Sequence, residues 1–256
     1  MRIMTFNLRF ENDRDGENCW SNRKNLVIET IQKFTPSILG TQEGTLRQLE
    51  YLRGNLPDYE IYAPGRSLDD QTCQYPTLFY RREEFNVLAG NEFWLSRTPE
   101  VHRSKDWDSA FPRMMSCALF AEPHEDKKLW AAVTHLDHLG VKARQEQAKM
   151  IANWIAAQTD PVVLMGDFNV APGSMVHDLL TGSETGLHDT WQMLTNSENQ
   201  DSMTHHGFSG VPQKGRLDWI LVSTQFIVLD AVIVRDRFDG RYPSDHFPYF
   251  VEVAWK

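Results

Sequence analysis

Residues 162–169, Val-Val-Leu-Met-Gly-Asp-Phe-Asn, decide the fold. The run Val162–Met165 is apolar at every position rather than every second one, which is the pattern of a strand covered on both faces. Gly166 follows, then Asp167 and Asn169. Side chains two apart on an extended chain point to the same side, so this carboxylate and carboxamide can address one small ligand. A buried strand that opens onto paired oxygen donors is where α/β proteins place chemistry. A polar turn capping a core strand explains the same residues about equally well, so the functional meaning depends on whether such strand ends recur.

They do recur. Residues 2–8 alternate apolar and polar and end on Asn7; Ser37–Gln42 reads as a second strand, with Glu43 at its end. Leu129–Thr134 is a buried strand that delivers His135, Asp137 and His138. Leu217–Ser223 carries Asp218 near its start, and Asp245 and His246 precede a last strand over Tyr249–Ala254. Between these lie helical patterns: 22–34 with Val27, Ile31 and Phe34 on one face and Ser21 or Asn22 as cap, then Leu46, Leu49 and Leu52, and then 141–158. From Tyr59 to Phe120 the pattern is strand-rich, with separate strands expected at Phe85–Leu88 and Glu92–Leu95. A loop over Ser96–Arg113 carries Trp107 and Arg113. Strands and helices mix from end to end without repeat or linker, so residues 1–256 are expected to form a single α/β domain.

Composition narrows the function. Hydrophobic residues at 41% and charged ones at 24% are an ordinary globular mixture, and no window nears the roughly 18 apolar residues that span a bilayer. Three scattered cysteines make no disulfide framework, and with no apolar signal segment the expected setting is cytoplasmic. The net charge of −9 and the lack of any Lys/Arg-rich run speak against gripping a long polyanion. They do not speak against a small phosphate ester, because a bound cation inverts the sign of a carboxylate cluster. The carboxylates with Asn7 and Asn169 are hard oxygen donors of the kind Mg²⁺ or Mn²⁺ takes, and no Cys/His set points to zinc.

Asn7, Gln42-Glu43, Thr134-His135-Leu136, Gly166-Asp167-Phe168-Asn169, Arg216-Leu217-Asp218 and Ser244-Asp245-His246 follow one another in an order and spacing that resembles the endonuclease/exonuclease/phosphatase superfamily. The resemblance spans residues 7–246, and its strength lies in six motifs in register rather than in any one. It implies a four-layered α/β sandwich, two packed mixed β-sheets flanked by helices, and Mg²⁺- or Mn²⁺-dependent phosphoester hydrolysis.

Carried over position by position, the resemblance makes Glu43 the principal metal ligand, with Asn7 and Asp245 completing or water-bridging the shell. It gives Asp167 the attacking water, which Asn169 helps to hold, and it gives His246, oriented by Asp218, the phosphate oxygens. His135 becomes a second phosphate-binding or proton-donating imidazole. Arg113 is then a candidate phosphate clamp and Trp107 a candidate substrate wall. Gln74 stands where the family pattern would place a Glu paired to His135. The expected substrate is a small phosphate ester or a short single-stranded nucleic acid, with nuclease action the alternative. No membrane and no protein partner are inferred. His205 and His206 read as an exposed loop pair without a role.

Overall fold

The computed structural model describes residues 1–64, 72–123 and 125–256. Among the described residues twelve strands form two six-stranded mixed sheets with helices around them, the four-layer arrangement that the family resemblance implies. The first sheet holds β1 (Arg2–Asn7), β2 (Ile38–Gly44), β3 (Tyr59–Tyr62), β4 (Tyr75–Arg81), β11 (Phe226–Ile233) and β12 (Tyr249–Trp255), in the order β11-β12-β1-β2-β4-β3. The second holds β5 (Asn86–Trp94), β6 (Met114–Ala121), β7 (Lys128–His135), β8 (Val162–Asp167), β9 (Leu187–Asp189) and β10 (Asp218–Ser223), in the order β5-β6-β7-β8-β10-β9.

Each sheet has one parallel pair at its centre, β1 with β2 and β7 with β8. Parallel neighbours need a crossover, and a helix supplies it in both cases: α1 (Trp20–Phe34) and α3 (Val141–Ala156). The shorter helices are α2 (Leu46–Asn55), α4 (Met175–Leu180) and α5 (Thr190–Met193).

The apolar run Val162–Met165 is divided between two cores. Val163 and Met165 join Ile3, Ile38, Val133 and Val251 between the sheets. Val162 and Leu164 face outward onto Ala148, Ile151 and Ile155 of α3. A third cluster packs Met4, Phe6 and Leu39 against Val27 and Ile31 of α1 and Leu49 and Leu52 of α2. At roughly 25 cal/mol per Å² of apolar area, three such interfaces are the main favourable term holding the layers together. The sheets approach closely in the middle: a Cβ at Gly40 would sit 2.5 Å from the Met165 sulfur.

Some boundaries differ from the pattern. α1 begins at Trp20 rather than 22, because Trp20 is itself core (3% exposed), and the helix starts after Cys19 with no side-chain cap. The two strands expected at 85–88 and 92–95 are one strand, β5, with a register irregularity between Val87 and Ala89. Its Ala-Gly-Asn middle looks like a turn, but pairing with β6 carries it through. Asp189 closes β9 and also opens α5, capping it by accepting from Trp191 N–H at 2.9 Å. No helix among the described residues is long and apolar enough to cross a membrane.

Candidate active site

Strand direction gathers the chemistry. Asn7, Glu43, His135 and Asp167 sit at or near the C-terminal ends of the four parallel strands. β10 runs antiparallel to β8, and β12 antiparallel to β1. The start of β10 (Asp218) and the residues before β12 (Asp245, His246) therefore lie at that same rim. In the second sheet His135, Asp167 and Asp218 are cross-strand neighbours in register, so their side chains share one face. Asp167 continues the face of Val163 and Met165 and points toward the first sheet.

Local backbone devices aim the side chains. Glu43 has φ +63°, and the pairing of β2 with β4 shifts between Thr41 and Gly44, a bulge that re-aims the carboxylate. A Cβ at Gly166 would strike the Thr134 carbonyl oxygen of β7, so only glycine lets β8 lie this close to its neighbour. Asn169 follows at φ +53°, which turns its amide back toward His135.

Asn7 joins the sheets. Its Nδ2 donates to Asp167 Oδ2 (2.9 Å) and to Glu43 Oε1 (3.2 Å), while its Oδ1 accepts from Arg9 N–H (2.9 Å). Glu43 Oε2 accepts from Phe10 N–H at 3.0 Å, and Asp167 Oδ1 accepts from Asn169 N–H at 2.9 Å. Asp167 Oδ2 lies 3.5 Å from His135 Nε2 and 3.8 Å from His246 Nε2, between two imidazoles. Burial, followed by the neighbouring Asp218, raises the Asp167 carboxyl well above its ordinary range.

The two imidazoles carry opposite charge tendencies. For His246 burial opposes a proton, but Asp218 (Oδ2 to Nδ1, 2.8 Å), Asp167 and Asp245 outweigh it and raise the ring's pKa. For His135 burial and then the adjacent Arg113 push the pKa well below the ordinary 6.5. Arg113 Nη1 can only donate, so at 2.9 Å from His135 Nδ1 it leaves the ring proton on Nε2, where the facing acceptor is Asp167 Oδ2 at 3.5 Å. Asn169 Nδ2, 2.9 Å from Nε2, is itself a donor and gives its hydrogen bond to the Leu136 carbonyl (2.9 Å), and Gln74 lines the same cavity. Arg113 is 7% exposed and lies 3.9 Å from Asp137 Oδ2.

The cavity, about 440 Å³, is lined by Glu43, Asp167, Asn169, His135, Asp245 and His246, among others. Several lining residues carried no sequence signal as ligands, notably Arg9, Phe10, Phe111, Lys214 and Leu217. Trp107 is not among them; its ring lies 5.6 Å from the Arg97 guanidinium, whereas Phe111, four positions on, does line the cavity. The histidine pair is not exposed. His205 lines the cavity with its ring 4.9 Å from that of His246, and His206 is fully buried, stacked on Phe247 at 3.9 Å.

The donor set fits a divalent cation. Donor atoms of Asp167, Asp218 and His246, and of His205, Asp245 and His246, lie within 4.8 Å of one another in two groups. Asp218 Oδ1 is buried without a hydrogen-bond partner, a cost that a nearby cation offsets. Glu43 falls in neither group and is tied to Asp167 through Asn7. All the carboxylates are hard oxygen donors, and Asn7 Oδ1 keeps a second lone pair beyond the one facing Arg9.

Solved structures share this fold. A mannosyl-6-phosphatase of Bacteroides thetaiotaomicron superposes with a TM-score of 0.89 at 29% identity, covering 100% of both chains. Zebrafish (D. rerio) TDP2, solved with a single-strand DNA product, has a TM-score of 0.79 at 17% identity, over 99% of this chain and 98% of its own, a likeness of fold. An uncharacterized protein, L388, of Acanthamoeba polyphaga mimivirus is 28% identical over 162 residues, a match that spans 59% of this chain and 59% of the viral protein. The sequence pattern of the Endonuclease/Exonuclease/phosphatase family matches residues 4–246, nearly the whole chain, and the chain belongs to that family.

Proposed function

We propose that the chain, as a single catalytic domain, hydrolyses small phosphate esters with Mg²⁺ or Mn²⁺, using water activated by Asp167. The observation that carries this is the Asn7 amide, which holds Glu43 and Asp167 together from two sheets beside His135 and His246. The net charge of −9 favours a small ester over a long polyanion. The family likeness extends at 29% identity to a protein described as a mannosyl-6-phosphatase, which adds support.

Glu43, with Asn7 and Asp245, would hold the cation, which when bound supplies positive charge to a phosphate oxygen. Asp167 is fixed at both oxygens by Asn169 N–H and Asn7 Nδ2, and its raised pKa suits a base that takes the proton of the attacking water. The water oxygen bonds to phosphorus, the bond from phosphorus to the leaving oxygen breaks, and the proton taken by Asp167 is returned through solvent to the departing alcohol. His246, held charged by Asp218, offsets negative charge growing on the phosphate oxygens. His135 is neutral and offers Nε2–H as a hydrogen bond, with Arg113 fixing its tautomer. The test is hydrolysis of a panel of phosphate esters with Mg²⁺, with Mn²⁺ and with chelator, for the wild type and Asp167→Asn. Chelator-sensitive turnover that the substitution cuts at least about a hundredfold is expected; turnover indifferent to both overturns the proposal.

A further inference from the structure

Phe111 is a lining residue that the proposed chemistry does not use and whose placement is nevertheless tightly held. Its side chain is 53% exposed at the cavity rim, while its own peptide groups are pinned. Phe111 N–H donates to Asp137 Oδ2 at 3.1 Å, and its carbonyl accepts from Ser109 Oγ at 2.7 Å. Ala110 N–H donates to the same Asp137 oxygen at 2.9 Å. Asp137 is fully buried, and its other oxygen accepts from Leu139 and Gly140 N–H. A scattered exposed apolar side chain needs no account. One whose backbone is fixed on both sides by a buried carboxylate and a hydroxyl, at the mouth of a polar cavity, is preorganised at no cost to a ligand.

The ring also has fixed neighbours. It stacks on His138, with centroids 5.5 Å apart and planes at 28°, and lies 5.9 Å from the Arg113 guanidinium carbon. Arg113 is the group that fixes His135. A short rigid path therefore leads from the phenyl face to the imidazole beside Asp167. A cavity of about 440 Å³ accommodates a phosphate and one or two rings, well within the usual span of small-ligand sites.

We infer that Phe111, backed by His138, is a stacking subsite for the leaving group, so that the substrate class is the phosphate ester of a ring-bearing alcohol, a sugar or a nucleoside. The inference rests on phosphoester hydrolysis at the adjoining carboxylates and adds what the leaving group is. Rings present a face to the phenyl, whereas an acyclic polyol presents none.

The full-length chain is assayed with Mg²⁺ or Mn²⁺ on a hexose 6-phosphate, a nucleoside 5′-monophosphate and glycerol phosphate, as wild type, Phe111→Ala and Phe111→Trp. The ratio of kcat/KM for the better ring ester to that for glycerol phosphate is expected to fall roughly tenfold in Phe111→Ala, through KM, and to be kept by Phe111→Trp. Which ring ester responds separates sugar from base. An unchanged ratio, or a wild type that prefers glycerol phosphate, overturns the subsite alone. A wild type inactive on all three overturns the hydrolase proposal and the subsite with it. Thermal melts of both variants confirm that the exposed substitutions leave the fold intact.

Discussion

The Nδ2 atom of Asn7, at the end of β1, stands 2.9 Å from Oδ2 of Asp167, at the end of β8, and these strands belong to different sheets. It is a polar contact made across the seam between the sheets, at the point where the apolar filling of Met165 and Ile3 gives way to the cavity. The same nitrogen reaches Glu43, so one amide with two protons serves two carboxylates.

Replacing Asn7 by Ala removes both hydrogen bonds and leaves Asp167 without one of its donors. Losing a partner of a buried charged group costs about 1–3 kcal/mol, so the midpoint of urea unfolding should fall by a corresponding amount. Activity should fall further than stability does, because Glu43 and Asp167 lose their common reference. Turnover measured at a temperature where the variant is fully folded checks this; an unchanged kcat would show that the carboxylates find their positions without Asn7.

His246 and Asp218 make the second prediction. Asp218→Asn keeps the shape of the pair and removes the charge that does most to raise the His246 pKa against burial. A group whose pKa is raised loses its proton at higher pH, so removing the cause moves that loss to lower pH. The alkaline limb of the kcat profile should therefore shift toward acid in Asp218→Asn, with kcat at neutral pH falling about tenfold or more. A limb that stays in place assigns the alkaline loss to another group.

How much of this was legible in the sequence follows from what signals the sequence carries. Val162–Met165 announced a strand covered on both faces because each alternate pair of side chains enters a different core. The rim positions of Asn7, Glu43, His135 and Asp167 were visible because each follows an apolar run. Asp218 looked misplaced at the start of its strand, and only the antiparallel pairing with β8 explains why a start and an end meet. Phe111 and Lys214 gave no signal, since they reach the cavity from loops whose course depends on distant partners such as Asp137. For the same reason Trp107 looked like the substrate wall, and His205 looked exposed although it packs against His246.

Arg23 supports a third prediction, about stability and loop placement together. Only 2% exposed, it donates to the backbone carbonyls of Leu8 (2.5 Å), Arg9 (2.5 Å), Asn18 (2.9 Å) and Pro243 (3.0 Å). The carbonyls of Leu8 and Arg9 lie just after Asn7 and that of Pro243 just before Ser244-Asp245-His246, so one guanidinium from α1 clamps both loops that bear site residues. Arg23→Met strands several buried acceptors and should cost about 3 kcal/mol or more. Arg23→Lys has a single nitrogen for carbonyls that lie around a planar fork, and should recover only part of that loss. Chemical denaturation of the two variants provides the measure, and a Lys variant equal to wild type would show that charge rather than fork geometry holds the loops.

Asp137 gives the pH dependence. Burial alone would raise its carboxyl, but N–H donors from Gly140, Phe111 and Leu139, with Arg113 nearby, outweigh it and hold the pKa below the ordinary 3.8. In the unfolded chain these donors are absent and the pKa returns to that ordinary value. A carboxylate with a depressed folded-state pKa binds fewer protons folded than unfolded, so it contributes stability in full above the unfolded value. That contribution is lost as pH falls through the lower folded value. Wild-type stability should therefore decline below about pH 4, and Asp137→Asn should decline less steeply there, while being less stable at neutral pH because an amide offers one acceptor oxygen where the carboxylate used two. Because Asp137 holds the loop that carries Phe111 and lies beside Arg113, the same variant should also raise KM for the ester it hydrolyses. Urea titrations between pH 2.5 and 7 for the two proteins test the first point, on the order of the window set by the carboxylate pKa; parallel curves would show that Asp137 keeps an ordinary pKa in the folded chain.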